Sequence, residues 1–245
     1  MLSSDGKFAL VGLPCHIHGL RKAQTRNRKL REKVAFCISI FCGLNMSPAG
    51  TRVMLNRRGV PIENVTQIKY RGTGWPGSLQ VEMLDGQTLS EPYLDYFDNH
   101  FMCYELHRCN LCCDSFGELA DISCGDAWLP EYKSSDDRGT SVVVVRSERG
   151  SDLLSLVGSE VLALERLSID KAVQTQRLAL VWKKEWLRAK AALVKLSGRE
   201  VPTYEHDLPP ARLSGYLGWN YTIFSRYLHR LWHRLSHFNE EKIVN

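Results

Sequence analysis

Hydrophobic residues occur in continuous runs in the first part of the chain, which is typical of buried strands. Phe8–Gly12 and Val34–Phe41 are such runs. The two runs are separated by residues 16–31, which are predicted to form a helix with Ile17 and Leu20 on its apolar side and a basic outer face. Two buried strands joined by a helix form a βαβ unit with parallel strands. The chain is therefore predicted to begin with such a unit.

The pattern changes over residues 65–91, where shorter apolar segments are separated by turn residues. Asp85-Gly86 is a strong signal for a hairpin between two of them. Residues 92–120 are polar, aromatic and rich in cysteine, while Ser47-Pro48 and Ser168 are of the types that begin helices. Strands are predicted at 65–71, 78–84, 87–91, 120–124, 141–146 and 161–164, and helices at 47–59, 93–102, 149–157, 168–174 and 177–197.

These elements predict an α/β fold. Its mixed sheet contains the βαβ unit, an inserted β-hairpin region follows, and a cysteine-rich loop precedes further helices. Three prolines mark a linker. We therefore predict a main domain at residues 1–204 and a helical tail at 205–245.

The predicted tail is a basic amphipathic helix over residues 211–238. Arginines and histidines are interleaved on its other sides. Such a helix either lies on an anionic membrane surface, receives a partner protein, or packs its apolar stripe on the domain with the charges in solvent. The apolar residues near one stripe are Leu213, Leu217, Phe224, Leu228, Leu231, Leu235 and Phe238.

Composition narrows the class of protein. The 245 residues are 44% hydrophobic and 24% charged, an ordinary globular composition. A net charge of +5, with no aromatics interleaved among basic residues around the cysteines, argues against a nucleic-acid partner. The sequence shows no signal peptide and no apolar stretch of the roughly 18–20 residues that span a bilayer. We expect a cytoplasmic protein with reduced cysteines, peripheral to a membrane at most through the tail.

The sharpest chemical signal is the cluster Cys103-x5-Cys109-x2-Cys112-Cys113. Two cysteines spaced by two residues direct their thiolates at one metal, and a third a few residues upstream completes a face. Adjacent residues usually point apart, so only one of Cys112 and Cys113 is expected to be a ligand. Cys42 is the candidate for the fourth ligand because it follows a strand, and open α/β sheets form their sites beyond the carboxyl ends of strands.

The other cysteines and several histidines leave alternatives open. Cys15 occupies the equivalent position after the first strand, Cys37 is expected to be a small buried hydrophobe, and Cys124 lies at a strand end. A zinc site of three cysteines and either His100 or His107 competes with an iron–sulfur cluster. The histidines near these cysteines are His16, His18, His100 and His107.

Six segments between residues 8 and 150 form an ordered set of motifs. They are Gly12–Arg21 (GLPCHIHGLR), Cys42-Gly43, Tyr70–Gly77 (YRGTGWPG), Cys109–Cys112, Ala120–Trp128 (ADISCGDAW) and Asp137–Ser141 (DRGTS). This set resembles the coenzyme F420 hydrogenase/dehydrogenase beta subunit family. Its members usually carry a considerable portion before the first motif. The resemblance therefore implies the C-terminal region of the family, with the N-terminal portion missing.

The resemblance implies an oxidoreductase that passes electrons between a [4Fe-4S] cluster, FAD and an organic substrate such as the deazaflavin coenzyme F420. A redox partner protein or subunit and a small-molecule electron carrier are the expected partners. The alternative is a non-catalytic electron-relay or docking module that holds a cluster or structural zinc. The implied cluster ligands are Cys42, Cys103, Cys109 and Cys112. The implied flavin-site residues are Pro14, Cys15, Arg71, Gly74, Trp75, Asp126 and Thr140.

The side chains of two of the implied flavin-site residues have chemistry that suits flavin binding. Trp75 offers a ring that stacks on an isoalloxazine, and Arg71 offers a cation for phosphate or for negative charge on reduced flavin. The competing interpretation is a glycine-rich bend with a core tryptophan. Asp126 is expected to serve a turn rather than to act as an acid.

Overall fold

The computed structural model describes residue 3 and residues 5–97, 103–133 and 138–240. The described strands are β1 (Phe8–Gly12), β2 (Val34–Ile40), β3 (Val65–Lys69), β4 (Ser78–Met83), β5 (Thr88–Pro92), β6 (Ile122–Asp126) and β7 (Ser141–Val145). The described α-helices are α1 (Pro14–Arg26), α2 (Arg28–Lys33), α3 (Pro48–Asn56), α4 (Tyr93–Tyr96), α5 (His107–Asn110), α6 (Pro130–Lys133), α7 (Glu148–Ser155), α8 (Ile169–Gln174), α9 (Arg177–Leu180), α10 (Leu187–Leu196) and α11 (Leu213–Glu240).

The chain divides into two compact units, each built from two stretches of sequence. The first unit comprises Met1–Gly43 and Cys112–Lys184. The second comprises Leu44–Leu111 and Glu185–Asn245. Residues distant in sequence therefore share a unit, and each unit is described by itself below.

The first unit is organised by a four-stranded sheet with the order β1-β2-β6-β7. The β1–β2 and β2–β6 pairs are parallel, and the β6–β7 pair is antiparallel. The predicted βαβ unit and the mixed sheet are confirmed. Its small core contains Ile17, Val34, Cys37 and Ala120, so Cys37 is the buried hydrophobe that the sequence predicts.

The predicted helix over residues 16–31 is in fact two helices, α1 and α2. Pro14 begins α1. The N–H at the first helical position has no acceptor within the helix, so a proline there costs no hydrogen bond. Asn27 interrupts the helix with extended backbone, and its side chain accepts the Leu30 N–H at 2.9 Å, which caps α2. Asn27 thus divides the predicted helix into two by ending α1 and capping α2.

Two other predicted elements are wrong. Residues 161–164 form no strand, and Val161 and Leu164 are exposed, so no buried face stabilises an extended segment there. The predicted helix over 177–197 is interrupted after α9 by a π-helical segment at Val181–Glu185, and α10 follows. The π-helical segment buries Lys183, a residue that a regular surface helix would leave in solvent.

The second unit contains the antiparallel meander β3-β4-β5. The predicted hairpin is confirmed: Gly86 has a φ of +81°, and the Met83 N–H donates to the Gln87 carbonyl at 2.9 Å. The helix predicted over 93–102 begins with α4, and residues 98–102 lie outside the described part. The core of this unit is made by Met54, Leu55, Val60, Leu79, Val81 and Tyr96.

The predicted tail helix is confirmed as α11, but the described side chains of its apolar stripe are exposed rather than packed on the unit. Trp219 is buried, and a Cβ on Gly218 would lie 2.4 Å from the Trp186 ring, so this side of the helix faces the unit. Within the described residues, no helix is both long and apolar enough to cross a membrane. The exposed members of the predicted stripe are Leu213, Leu217, Phe224, Leu228 and Leu231.

Gly117 shows how closely the first unit is packed behind the cysteine segment. Its φ is +65°, and a Cβ there would lie 2.2 Å from the Cβ of Ser39 in β2. Both the backbone conformation and the available space therefore require glycine.

We expect Gly117→Ala to lower the free energy of unfolding by about 3 kcal/mol, because it adds backbone strain and a steric clash. Gly19→Ala is the matched control, since Gly19 lies in α1 and a Cβ added to it would meet no atom within 4 Å. This control should raise the free energy of unfolding by about 0.5–1 kcal/mol. Urea unfolding measures both values, and equal stability of the two variants would contradict the packing described.

Candidate functional site

The carboxyl ends of the parallel strands β1, β2 and β6 lie at one edge of the sheet in the first unit. Pro14 and Cys15 begin α1 just after β1, and Cys42 follows β2. Asp126 ends β6, and Thr140 lies at the same edge because β7 runs antiparallel to β6. Such edges are where open α/β sheets form ligand sites. The structure thus places five of the predicted site residues along one sheet edge.

Backbone pairing joins the end of β6 at Asp126 to the start of β7 beside Thr140. Asp126 pairs with Ser141 in the β6–β7 ladder, and the Ala127 N–H donates to the Thr140 carbonyl at 2.9 Å. The Gln176 Nε2 also donates to the Asp126 carbonyl at 2.7 Å. These contacts hold the backbone in place where β6 ends and β7 begins.

Cys42 lies beside the segment that follows the cysteine cluster. Its N–H donates to the Ser115 carbonyl at 3.0 Å, and the Ser115 hydroxyl donates back to the Cys42 carbonyl at 3.3 Å. The rings of Phe41 and Phe116 add a contact with 4.5 Å between centroids. The chain leaving β2 and the chain leaving Cys112 are therefore held together within the first unit.

The buried carboxylate of Asp114 organises this segment. Its Oδ1 accepts the N–H groups of Phe116 and Gly117 at 2.9 and 2.8 Å. Its Oδ2 accepts the Glu118 N–H and the His18 Nε2, each at 2.9 Å. Burial raises the pKa of Asp114, but the hydrogen bonds and the charge of His18 outweigh it, so the pKa lies below its ordinary value. The carboxylate thereby anchors the segment to α1.

Lys183 brings a buried cation to the same segment. Its Nζ donates to the Asp114 carbonyl at 2.9 Å and lies 3.4 Å from the Cys112 Sγ. Hydrogen bonds to ligand sulfurs are one means by which a protein sets the reduction potential of a cluster. Sequence reasoning missed Lys183 because a lysine in a helical segment normally indicates a solvated face. The π-helical turn that directs it inward leaves no clear sequence signal.

Three other thiols have environments that favour the protonated form. Burial raises the pKa of the Cys37 and Cys124 thiols. Burial also raises the pKa of the Cys113 thiol, and the neighbouring Cys112 adds to that effect. Cys37 belongs to the core, whereas Cys113 adjoins the predicted ligand Cys112.

In the second unit, a short bridge holds the segment that carries Cys103 and Cys109. Met46 and Glu105 form an isolated antiparallel bridge, with the Ser47 N–H donating to the Tyr104 carbonyl at 2.9 Å. The buried Glu105 carboxylate also pairs with Arg226 of α11 at 2.7 Å. Cys103 is buried and Cys109 is half-buried in this fixed segment.

The bend from Arg71 to Gly77 belongs to the second unit. The Arg71 Nε donates to the Pro76 carbonyl at 2.7 Å, and its guanidinium carbon lies 4.9 Å from the centre of the Tyr93 ring. Gly74 and Gly77 have φ values of +83° and +88°, which the bend requires. Arg71 thus supports the bend, and Trp75 is half-buried within it.

The predicted cysteine ligands are not gathered into a metal site within the described part of the chain. Over the described ranges, no three Cys, His, Asp or Glu residues are grouped so that they could hold a metal ion. Cys42 and Cys112 belong to the first unit, and Cys103 and Cys109 to the second. Of the two histidines proposed for a zinc site, His107 begins α5 and His100 lies outside the described residues. Of the other nearby histidines, His18 bonds to Asp114 and His16 accepts the Leu13 N–H. The four-cysteine ligand set stays a prediction.

Comparison with known proteins defines the class. Residues 5–169 match the family described as the C terminus of the beta subunit of coenzyme F420 hydrogenase/dehydrogenase. The match covers more than half of the chain. This protein therefore belongs to that family, as the sequence motifs predict.

Curated relatives include three archaeal proteins. The chain is 29% identical over 165 residues to a coenzyme F420-dependent sulfite reductase of Methanocaldococcus jannaschii, covering 62% of this chain and 24% of the relative. It is 27% identical to the coenzyme F420 hydrogenase subunit beta of Methanothermobacter thermautotrophicus, with 60% and 48% covered. The corresponding protein of Methanococcus voltae is 26% identical, with 67% and 53% covered. The chain thus spans about a quarter to a half of their lengths.

A solved structure supports the fold assignment. A chain of the F420-reducing [NiFe] hydrogenase complex from Methanosarcina barkeri matches with a TM-score of 0.54 at 20% identity. The match covers 80% of this chain and 65% of that chain. At this identity the likeness concerns the fold.

We expect Asp114→Asn to lower the free energy of unfolding at neutral pH by about 3 kcal/mol, because it removes a buried, hydrogen-bonded charge. The folded pKa of Asp114 is lowered, so its contribution is present above the unfolded pKa and is lost as pH falls through the folded pKa. Urea unfolding between neutral and acid pH should therefore show a weaker loss of stability in the variant below about pH 4.

Asp152→Asn is the control, since Asp152 is exposed in α7. It should keep the wild-type free energy of unfolding at neutral pH. An Asp114→Asn variant with the same acid dependence as the wild type would show that this carboxylate does not anchor the segment.

Proposed function

We propose that this chain is the redox module of a coenzyme F420-linked oxidoreductase, working with an iron–sulfur cluster and FAD. The observation that carries the proposal is its membership of the beta subunit family over residues 5–169. The relatives are named as F420-dependent or F420 hydrogenase proteins, and the ordered motifs extend over the same region. Electron transfer to or from the deazaflavin is the activity that these likenesses favour.

The proposed cluster ligands are Cys42, Cys103, Cys109 and Cys112. Their support is the compact spacing of the cysteines in the sequence and the family resemblance. Within the first unit, the two hydrogen bonds between Cys42 and Ser115 and the ammonium of Lys183 beside Cys112 fit a role for both cysteines. When bound, a [4Fe-4S] cluster would supply one-electron transfer.

The proposed flavin residues fall into two sets. Pro14, Cys15, Asp126 and Thr140 lie along the sheet edge of the first unit, and Arg71, Gly74 and Trp75 form the glycine-rich bend of the second unit. In the first set, backbone groups held by the sheet would orient a ligand. In the second set, the positive φ angles of the glycines would let the backbone approach it closely. FAD would supply hydride chemistry towards a deazaflavin.

The second candidate is an electron-relay module that serves a partner subunit. The observation that favours it is the buried Lys183, whose Nζ lies 3.4 Å from the Cys112 Sγ, a contact that supports a cluster and does not involve a flavin. Under this alternative, the chain holds a cluster and the partner binds the flavin. Flavin content therefore distinguishes the two candidates.

The direct test is purification without oxygen, followed by iron, zinc and flavin analysis and by an F420 assay. We expect about four irons per chain, bound FAD and reductant-dependent bleaching of the visible band of oxidised F420. Iron without flavin would support the relay module. Zinc alone, or no metal, would overturn both candidates.

Single substitutions test the ligand set. We expect Cys42→Ser, Cys103→Ser, Cys109→Ser and Cys112→Ser each to reduce bound iron by at least about half, because a cluster held by four thiolates is destabilised when one is lost. Cys124→Ala is the control, since Cys124 lies in β6 outside the set. Iron analysis and the visible absorption spectrum are the measurements. Full iron content in the four serine variants would reject these ligands.

A further inference from the structure

Lys183 is a buried ammonium that has no carboxylate beside it to balance its charge. Its side chain is 3% exposed, and it lies in the π-helical segment at Val181–Glu185. Within the described part of the chain, its Nζ has two partners, the Asp114 carbonyl at 2.9 Å and the Cys112 Sγ at 3.4 Å. Burying a charge in this way costs free energy unless an opposite charge lies close to it.

The carboxylate of Asp114 forms no ion pair with Lys183. Its two oxygens accept the N–H groups of the turn and the His18 ring, and Lys183 bonds to the main-chain oxygen of Asp114 instead. The next residue, Lys184, does have an ion pair, with Glu118 at 2.6 Å. Of the two groups that Lys183 contacts, only the sulfur of Cys112 is able to carry a negative charge.

The hydrogen bonds at Cys112 change when its sulfur becomes a ligand. As a thiol, the Cys112 Sγ donates to the Asp114 carbonyl at 3.3 Å. A metal-bound sulfur has lost its proton and only accepts hydrogen bonds. Lys183 then remains as the donor to both the carbonyl and the sulfur. The contact also distinguishes two adjacent cysteines, because the ammonium bonds to Cys112 rather than to Cys113.

We propose that Lys183 raises the reduction potential of the [4Fe-4S] cluster by placing its charge against the ligand sulfur of Cys112. This inference rests on the proposed function, because it concerns the cluster proposed there. Reduction moves one electron from a donor, either reduced flavin or a chemical reductant, to the cluster, and no bond forms or breaks. The negative charge beside Lys183 grows by one unit, so the buried cation stabilises the reduced form more than the oxidised form.

The test is a potentiometric titration of the full chain, purified with its cluster in the absence of oxygen and reduced with dithionite. The paramagnetic signal of the reduced cluster reports the midpoint potential. We expect Lys183→Met to lower the equilibrium constant for reduction at least about tenfold, which corresponds to a midpoint potential about 59 mV lower. Methionine suits this test because replacing a buried ion by an apolar side chain of similar volume is often neutral for stability.

Lys184→Met is the matched control. It removes the same charge from the neighbouring position of the same segment, but Lys184 is only half-buried and pairs with Glu118. This variant should change the equilibrium constant for reduction by less than about threefold, because solvent screens a charge at such a position. Equal shifts in the two variants would indicate a response to overall charge and would overturn the inference.

Iron content and far-ultraviolet circular dichroism separate a change in potential from a loss of structure. Lys183→Met should keep the iron content and the helix content of the wild type. A variant that loses its iron would assign Lys183 to holding the cluster rather than to setting its potential. A variant that keeps its iron and has the wild-type midpoint potential would show that the charge has no effect. Either result would overturn the inference.

Failure of this inference is distinguishable from failure of the proposed function. A wild-type chain that binds no iron would overturn both. An iron-loaded chain whose midpoint potential does not respond to Lys183→Met would overturn the role of Lys183 alone, and the cluster of the proposed function would stand.

Discussion

The buried carboxylate of Asp114 is the constraint on which the arrangement of the first unit depends. It accepts three backbone N–H groups of the following residues and the His18 ring, so a tight turn and helix α1 share one charge. Without these donors, burying the ionised carboxylate would carry a large cost in free energy. The turn in turn presents Ser115 to Cys42 and the Asp114 carbonyl to Lys183. One side chain therefore determines the local course of the chain at two predicted cysteine ligands.

Sheet topology explains why residues far apart in sequence share one edge. Parallel strands place the starts of their following segments at the same end of the sheet, which brings Cys15 and Cys42 to the edge where Asp126 ends β6. The reversed direction of β7 adds Thr140, which precedes the strand rather than following it. A fully parallel sheet would place the residue before β7 at the opposite edge. The mixed topology is thus what gathers these residues.

Sequence reasoning succeeded where a local pattern of residues is compatible with only one kind of secondary structure. The apolar runs of β1 and β2 and the turn at Asp85-Gly86 have such patterns, and the ordered motifs identify the family. It failed at Asn27 and at the π-helical segment, where a side-chain cap and a buried cation interrupt helices of favourable periodicity. Lys183 could not be predicted as a partner of Cys112, because that contact joins residues 71 positions apart. Long-range polar contacts of this kind leave no periodic signal.

The amphipathic tail shows what a hydrophobic pattern does and does not specify. The repeat that includes Leu217 and Phe224 predicts a helix with one apolar side, but it does not say which side meets the rest of the chain. That choice is made by shape and charge: Gly215 and Gly218 admit the Trp186 and Ala189 side chains, and Glu105 holds Arg226. Small residues and one ion pair thus place Trp219 on the inner side and leave Leu217 and Phe224 exposed. The exposed apolar face is thus a consequence of how the opposite side of the helix packs.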